Sequence, residues 1–447
     1  MASYLDTYRQ KTPQSEKLFN RAKEAMPGGV CHTPHYFSPY PFYIRGGKGS
    51  KIRDVDGNEY VDLWMGNFTH ILGHRPELVV EAIEKQVKEA IHWGLAFEKQ
   101  VEWAEMIRDL IPCAEMVRFC CSGTEATMYA VRLARACTGR AVVLKMAGGW
   151  HGANSDLMVD IKWPYDQPEG LGLFPGPQQS TKTLPYNDID RSREVIRQTG
   201  KNLAAVILES IIGEGGFVPA SPDYLRMLRE ETERLGALLI LDEVISGFRI
   251  SLNGAQGRFG IMPDLATLGK IAGGGLPVGV LVGKKELLER TSPGRKVPKQ
   301  EKILIGGGTF SSHPLTAAAG LAMLCHLKTN ADEIYPSLEA KGKRAREGVQ
   351  KAFDREGIPV AVTGIGSLFQ THFLREGEKK PALDSPQAVY RFTDVDKREV
   401  EFRIRMLTRG VHVIHGGGAI STSHSNEDID RIIEAAGEAA REMKQEG

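Results

Sequence analysis

The chain has 447 residues, 41% hydrophobic and 25% charged, with 57 basic against 56 acidic side chains. That length holds more than one core. The near-neutral charge argues against a nucleic-acid binder, no apolar run reaches the roughly 18–20 residues of a membrane span, and six cysteines are too sparse for a disulfide scaffold.

The first residues, "MASYLDTYRQKTPQSEKLFNRAKEAM", contain no signal-peptide core, so a cytoplasmic location is expected. Residues 15–26 read as a helix ending at "PGG". The next segment, "YPFYIRGGKGSKIRDVDGNEYVDLW", has the texture of a strand meander, with Asp56-Gly57 as a hairpin turn rather than a calcium loop. From Pro76 the apolar residues Val79, Val80, Ile83, Val87 and Ala90 keep a helical period. Further helices are predicted over 98–110 and in "SGTEATMYAVRLARACTG". "AVVLKM", "NLAAVILES", "GALLILDE" and "GLPVGVLVG" read as strands, and a helix starts at Ser221-Pro222. Strands alternating with helices of this length predict an α/β fold with a mostly parallel central sheet.

Residues 151–190 are irregular and rich in Pro and Gly, which predicts a functional or interface loop. Past a helix near 313–328 and a charged helix over 333–353, short strands such as "GSLFQTHF" and "GVHVI" alternate with helices. The expected organisation is an N-terminal segment over 1–75, a large domain over 76–325 and a smaller α+β domain over 326–447.

Chemistry gathers at strand ends. In "LGALLILDEVISGFRI" five apolar residues run into Asp242-Glu243, and Glu209 closes the strand before it. Ligands of parallel sheets bind at such carboxyl ends. A buried carboxylate needs a cation, either a protonated ligand nitrogen or an arginine such as Arg249. "SGTEA" sets Ser122, Gly123 and Thr124 at a helix start, where free amides and hydroxyls form an anion site, although Thr124 also suits a simple cap. "LGKIAGGG" places Lys270 among small and apolar residues, which should lower its pKa and make it usable as an amine nucleophile. Trp150, beside His151 and Gly152, lies at another strand end. A phosphate cradle, a planar stacking surface, an acid for a ring nitrogen and an amine for an aldehyde together describe a pyridoxal 5′-phosphate site.

The motifs "MPGGV", "GKGSKIRDVDGNEYVD", "ILGHRP", "SGTEATMYAVRLAR", "DEVISGFR", "GKIAGGGLPVG", "GGTFSSHP" and "SHSNEDID" span nearly the whole chain. In these the sequence resembles the class III aminotransferases, pyridoxal-phosphate enzymes of fold type I, and is most similar to the glutamate-1-semialdehyde 2,1-aminomutases. The resemblance implies that Lys270 holds the cofactor covalently and moves protons, and that Asp242 pairs with the pyridine nitrogen. It implies that Val244 and Trp150 pack on the two ring faces, with His151 beside Trp150. Gly123 and Thr124 hold the phosphate, Glu209 lies beneath the pocket, and Thr309 reaches the phosphate from the partner subunit of a homodimer.

Departures from the aminomutase pattern fall at substrate-facing positions. His35 stands where those enzymes carry a carboxylate-gripping arginine, and a largely uncharged imidazole is a poorer anchor. Asn67 replaces a tryptophan, Glu214 replaces an asparagine near the cofactor's phenolic oxygen, and His415 lies in a shortened C-terminal stretch. The expected activity is therefore transamination between an amine, or an ω- or β-amino acid, and a carbonyl acceptor. An aminomutase is the alternative, and a racemase of the same fold needs the same apparatus. Cys31, His32, His35, His412 and His415 lack the arrangement of a structural metal site, so no metal is expected.

Overall fold

The computed structural model describes residues 3–446 apart from 166–168, 174–175, 177–178, 376 and 378–380. The chain forms two compact units, one of residues 77–335 and 383–389, the other of the N-terminal 76 residues with 336–382 and 390–447. Among the described residues no helix is long and apolar enough to cross a membrane.

The chain enters with helices Tyr4–Lys11 and Pro13–Lys23, then an antiparallel meander of β1 (Ile44–Lys48), β2 (Lys51–Asp54) and β3 (Glu59–Asp62). The "DVDGNE" turn between β2 and β3 serves the fold. Asp56 accepts the backbone N–H groups of Gln14 (2.6 Å) and Ser15 (3.0 Å), and so caps the second helix from outside it.

The larger unit holds β4 (Met116–Cys120), β5 (Val142–Met146), β6 (Thr181–Leu184), β7 (Leu203–Leu208), the short pair β8 (Ile211–Ile212) and β9 (Val218–Pro219), β10 (Leu238–Glu243), β11 (Leu265–Gly269) and β12 (Gly279–Gly283). Seven of these form one sheet in the order β4-β12-β11-β10-β7-β5-β6. β12 runs against both its neighbours, and the other pairings are parallel. The sheet is mostly parallel, as the alternation of strands and helices predicts. Every residue of β7, β11 and β12 is buried, the mark of strands covered on both faces.

The intervening helices begin and end on chemistry written in the sequence. Ser221 caps helix Pro222–Leu235 through its hydroxyl, Pro222 opens it, and Gly236 closes it in the left-handed region at φ 60°. β6 falls inside the stretch read as irregular, and four polar or short residues, "TKTL", hide it from a pattern search. Residues 166–168, 174–175 and 177–178 of that stretch lie outside the described residues.

The other unit is completed by β13 (Val360–Ile365), β14 (Leu368–Leu374), β15 (Thr393–Asp394), β16 (Val411–His412) and β17 (Gly417–Ala419). β16 pairs in parallel with β3, Val411 against Val61 and His412 against Asp62. The N-terminal meander thus shares a sheet with the C-terminal region, although more than three hundred residues separate them in the chain. Tyr8, Phe19, Phe37, Tyr60, Ile404 and Leu407 form a common core there. The closing helix is Asn426–Glu446.

Candidate active site

β10 ends in two acids with opposite duties. Glu243 is fully buried and accepts the backbone N–H groups of Ala255 and Gln256 and the Gln256 amide, which fastens the chain after the strand. Asp242, pointing to the other face by the two-residue period of a strand, lines a cavity of about 150 Å³ together with Lys270.

The Asp242 carboxylate is held from three sides. Parallel pairing sets it opposite Thr267 on β11, whose hydroxyl donates to Oδ1 at 2.9 Å. The Val244 N–H donates to the same oxygen at 3.1 Å, and His151 Nδ1 lies 2.7 Å from Oδ2. Burial pulls the His151 imidazole below its ordinary pKa even against the pull of Asp242. The ring is therefore neutral near pH 7, with Nδ1–H directed at the acid. Its Nε2 is buried without a partner.

Lys270 follows β11 directly, at φ 48°, in a left-handed conformation that lysine rarely adopts. Burial lowers its pKa, opposed first by the charge of Asp242. Glu209, one residue past β7, accepts the N–H of Trp150 on Oε1 (3.0 Å) and of Gly213 on Oε2 (3.2 Å). Burial, with the Asp242 charge beside it, pushes its carboxyl up to about 8. It is thus largely neutral at pH 7.

The opposite wall is the start of helix Gly123–Thr138. The Ser122 hydroxyl accepts the Glu125 N–H, which leaves the first amides of the helix unspent. Gly152 leaves no room for a side chain, and Gly123 is tightly packed. A Cβ at Gly123 comes within 3.0 Å of Val244, and one at Gly152, where φ is 79°, collides with Thr124. Backbone, rather than side chain, therefore faces the space. The indole of Trp150 is 44% exposed, so its face is free to stack.

The structure brings Gly123, Thr124, Trp150, His151, Glu209, Asp242, Val244 and Lys270 around one cavity, with Ser122 as the cap beneath it. Thr309 lies elsewhere, exposed on a turn and lining a different cavity with Ala96 and Ser311. His35 and Asn67 line a cavity in the other unit. Glu214 sits on the turn between β8 and β9, and His415 Nδ1 is 3.0 Å from Glu399; neither lines these cavities.

Three residues escaped the sequence reading. Thr267 braces Asp242, and Thr127 donates to the His151 carbonyl at 2.7 Å. Lys145 of β5 is fully buried and donates to the carbonyls of Gly149 (2.9 Å) and Val159 (2.6 Å). The signal for Lys145 was a charged residue inside the apolar run "AVVLKM"; Thr267 and Thr127 carry no distinctive one.

The donor set matches a flat phosphorylated heterocycle with an aldehyde: unspent helix amides for a phosphate, a braced acid for a protonated ring nitrogen, an aromatic and a branched side chain for its faces, and one amine. The comparisons with known proteins agree. The family described as "Aminotransferase class-III" matches residues 34–422. A glutamate-1-semialdehyde 2,1-aminomutase of Methanosphaera stadtmanae is 37% identical over 433 residues, covering 95% of this chain and 97% of that protein. The crystal structure of an ω-transaminase from Sphaerobacter thermophilus superposes with a TM-score of 0.89 at 32% identity, covering 98% of this chain and 99% of that one. A transaminase with bound pyridoxal phosphate gives 0.87 at 32% identity, over 98% and 99%. The chain belongs to the class III aminotransferase family, and its cofactor is pyridoxal 5′-phosphate.

Proposed function

We propose that this enzyme is a transaminase that moves an amino group between an amine, or an ω- or β-amino acid, and a carbonyl acceptor. One observation carries the reading. The residues expected around the cofactor converge on a single cavity, and the cavity of the other unit carries His35 and Asn67 in place of the arginine and tryptophan of the aminomutase pattern. The likeness to an ω-transaminase along 98% of the chain supports it.

Bound pyridoxal phosphate supplies an aldehyde that captures amino groups and a ring that accepts electrons. Lys270 is the amine that would hold that aldehyde and, when free, would move the proton at the carbon bearing the substrate's amino group. Its lowered pKa keeps part of the amine unprotonated for this task. Asp242 is fixed by His151, Thr267 and the Val244 amide, so it would meet a protonated ring nitrogen without rearrangement. Neutral Glu209 pins the Trp150 backbone without placing a second full charge beside Asp242. The amides at the helix start would hold the phosphate, and in a homodimer Thr309 would reach it from the second subunit.

The identity to curated aminomutases favours a second reading, intramolecular amino exchange in glutamate 1-semialdehyde. The two separate cleanly. Amine and β-amino-acid donors are offered with ketone and keto-acid acceptors, and glutamate 1-semialdehyde is offered alone, with products quantified by chromatography. Transfer between separate molecules is expected. Rapid conversion of the semialdehyde to 5-aminolevulinate without an acceptor would overturn the transaminase reading.

A further inference from the structure

The cavity in the second unit, about 790 Å³ in volume, is walled by apolar side chains, among them Val30, Phe37, Phe42 and Trp64. Arg403, at the start of helix Arg403–Thr408, lines it while only 4% exposed. Its guanidinium carbon lies 4.0 Å from the Phe37 ring centroid and 5.8 Å from that of Trp64. Its Nε is buried without a hydrogen-bond partner, and no carboxylate among the described residues forms an ion pair with it. Burial draws its pKa down to about 10, so it remains charged at neutral pH. Aromatic faces offset only part of the cost of burying such a cation.

The nearby acids cannot serve it: Glu399, the carboxylate whose charge acts on Arg403, is held by Arg398 Nε (2.8 Å) and His415 Nδ1 (3.0 Å). Asp62 lines the same cavity, but its oxygens are taken by His74 Nε2 (2.7 Å), His412 Nδ1 (2.8 Å) and the N–H groups of Trp64 (2.9 Å) and Met65 (3.0 Å). That arrangement commits the His412 proton to Nδ1 and leaves Nε2 an acceptor, buried and unpartnered. Among the described residues the cavity therefore presents a cation with no direct ion-pair partner, an acceptor with no donor and an apolar wall.

We propose that this cavity binds a small carboxylate carried on an apolar chain or ring. The carboxylate pairs with the Arg403 guanidinium, the body packs against Phe37, Phe42 and Trp64, and a hydrogen-bond donor on the ligand, where there is one, meets His412 Nε2. The anion grip missing at His35 is thus supplied from a different element. Such binding needs no amine on the ligand and no turnover, so it stands or falls apart from the transaminase assignment.

Calorimetric titration of the holoenzyme with 3-phenylpropanoate and its neutral amide tests this. The carboxylate is expected to bind about ten- to a hundredfold more tightly than the amide. Arg403→Met should erase that preference, and Arg45→Met, which changes an exposed arginine on the same lining, should preserve it. The probe should also shift the Trp64 indole resonance of the unmutated enzyme, a readout independent of any arginine variant's folding. Equal affinity for acid and amide, a preference that survives Arg403→Met, or a Trp64 resonance that does not move would each overturn the proposal.

Discussion

In the larger unit the buried amine of Lys270 feels two acids, Asp242 and Glu209, whereas in the other unit the buried guanidinium of Arg403 meets aromatic faces and no paired carboxylate. The first cavity carries its own counter-charge, braced by His151 and Thr267, and is complete once a cationic ring nitrogen arrives. The second carries a cation with no direct ion pair among the described residues, and its acid is bound to two imidazoles. On the proposed reading the braced acid of the first cavity serves the chemistry, while Asp62 ties β3 to His74 and His412. The contrast between Asp242 and Asp62 can be broken experimentally.

Lys270→Ala removes the amine proposed to hold the cofactor and move the proton, so kcat for amino transfer should fall on the order of 10⁴-fold or more. Steady-state assay with a productive donor and acceptor reads this directly. Asp242→Asn keeps the shape but not the charge, and a loss of roughly 10²–10³-fold in kcat is expected, with the melting temperature little changed. Asp62→Asn should do the reverse. Disrupting a buried acid with four partners costs about 3 kcal/mol of stability, read by denaturant titration.

The sign of the pH dependence sharpens the pair. Two imidazoles and two amides hold the Asp62 carboxyl well below its ordinary value. The unfolded chain therefore binds the proton first, and the stability advantage of the unmutated protein over Asp62→Asn should shrink as pH falls below about 4. Glu209 behaves oppositely. Its carboxyl is raised to about 8, so the unfolded chain ionises while the fold does not, and stability drains away between about pH 4.5 and 8. Glu209→Gln in the cofactor-free protein should thus gain about 4 kcal/mol at pH 8 and nothing near pH 4. A gain independent of pH would show that Glu209 is already ionised.

Much of the first cavity was legible in the sequence, because its chemistry sits at strand ends and its backbone demands glycine. "DEVISGFR" and "GKIAGGG" place an acid and an amine after apolar runs, and "SGTEA" places free amides at a helix start. The second cavity was not legible. Arg403 lies within "VEFRIRMLTRG", which reads as an ordinary amphipathic helix, and its burial depends on Phe37 and Trp64, far away in the chain. The Asp62–His412 contact depends on the pairing of β3 with β16 across the same gap, which no local pattern encodes. The fold shows the same division. Strands of aliphatic residues declared themselves, while β6, with its polar "TKTL", did not.

The two buried lysines of the larger unit offer the most direct test. Burial lowers the pKa of both, and for Lys145 it falls to about 8. Yet Lys145 is tied to two carbonyls, while Lys270 stands on the cavity that Asp242 faces. Borohydride treatment of the holoenzyme followed by peptide mapping should find the pyridoxyl group on Lys270 alone. A label on Lys145, or no label at all, would contradict the site described above.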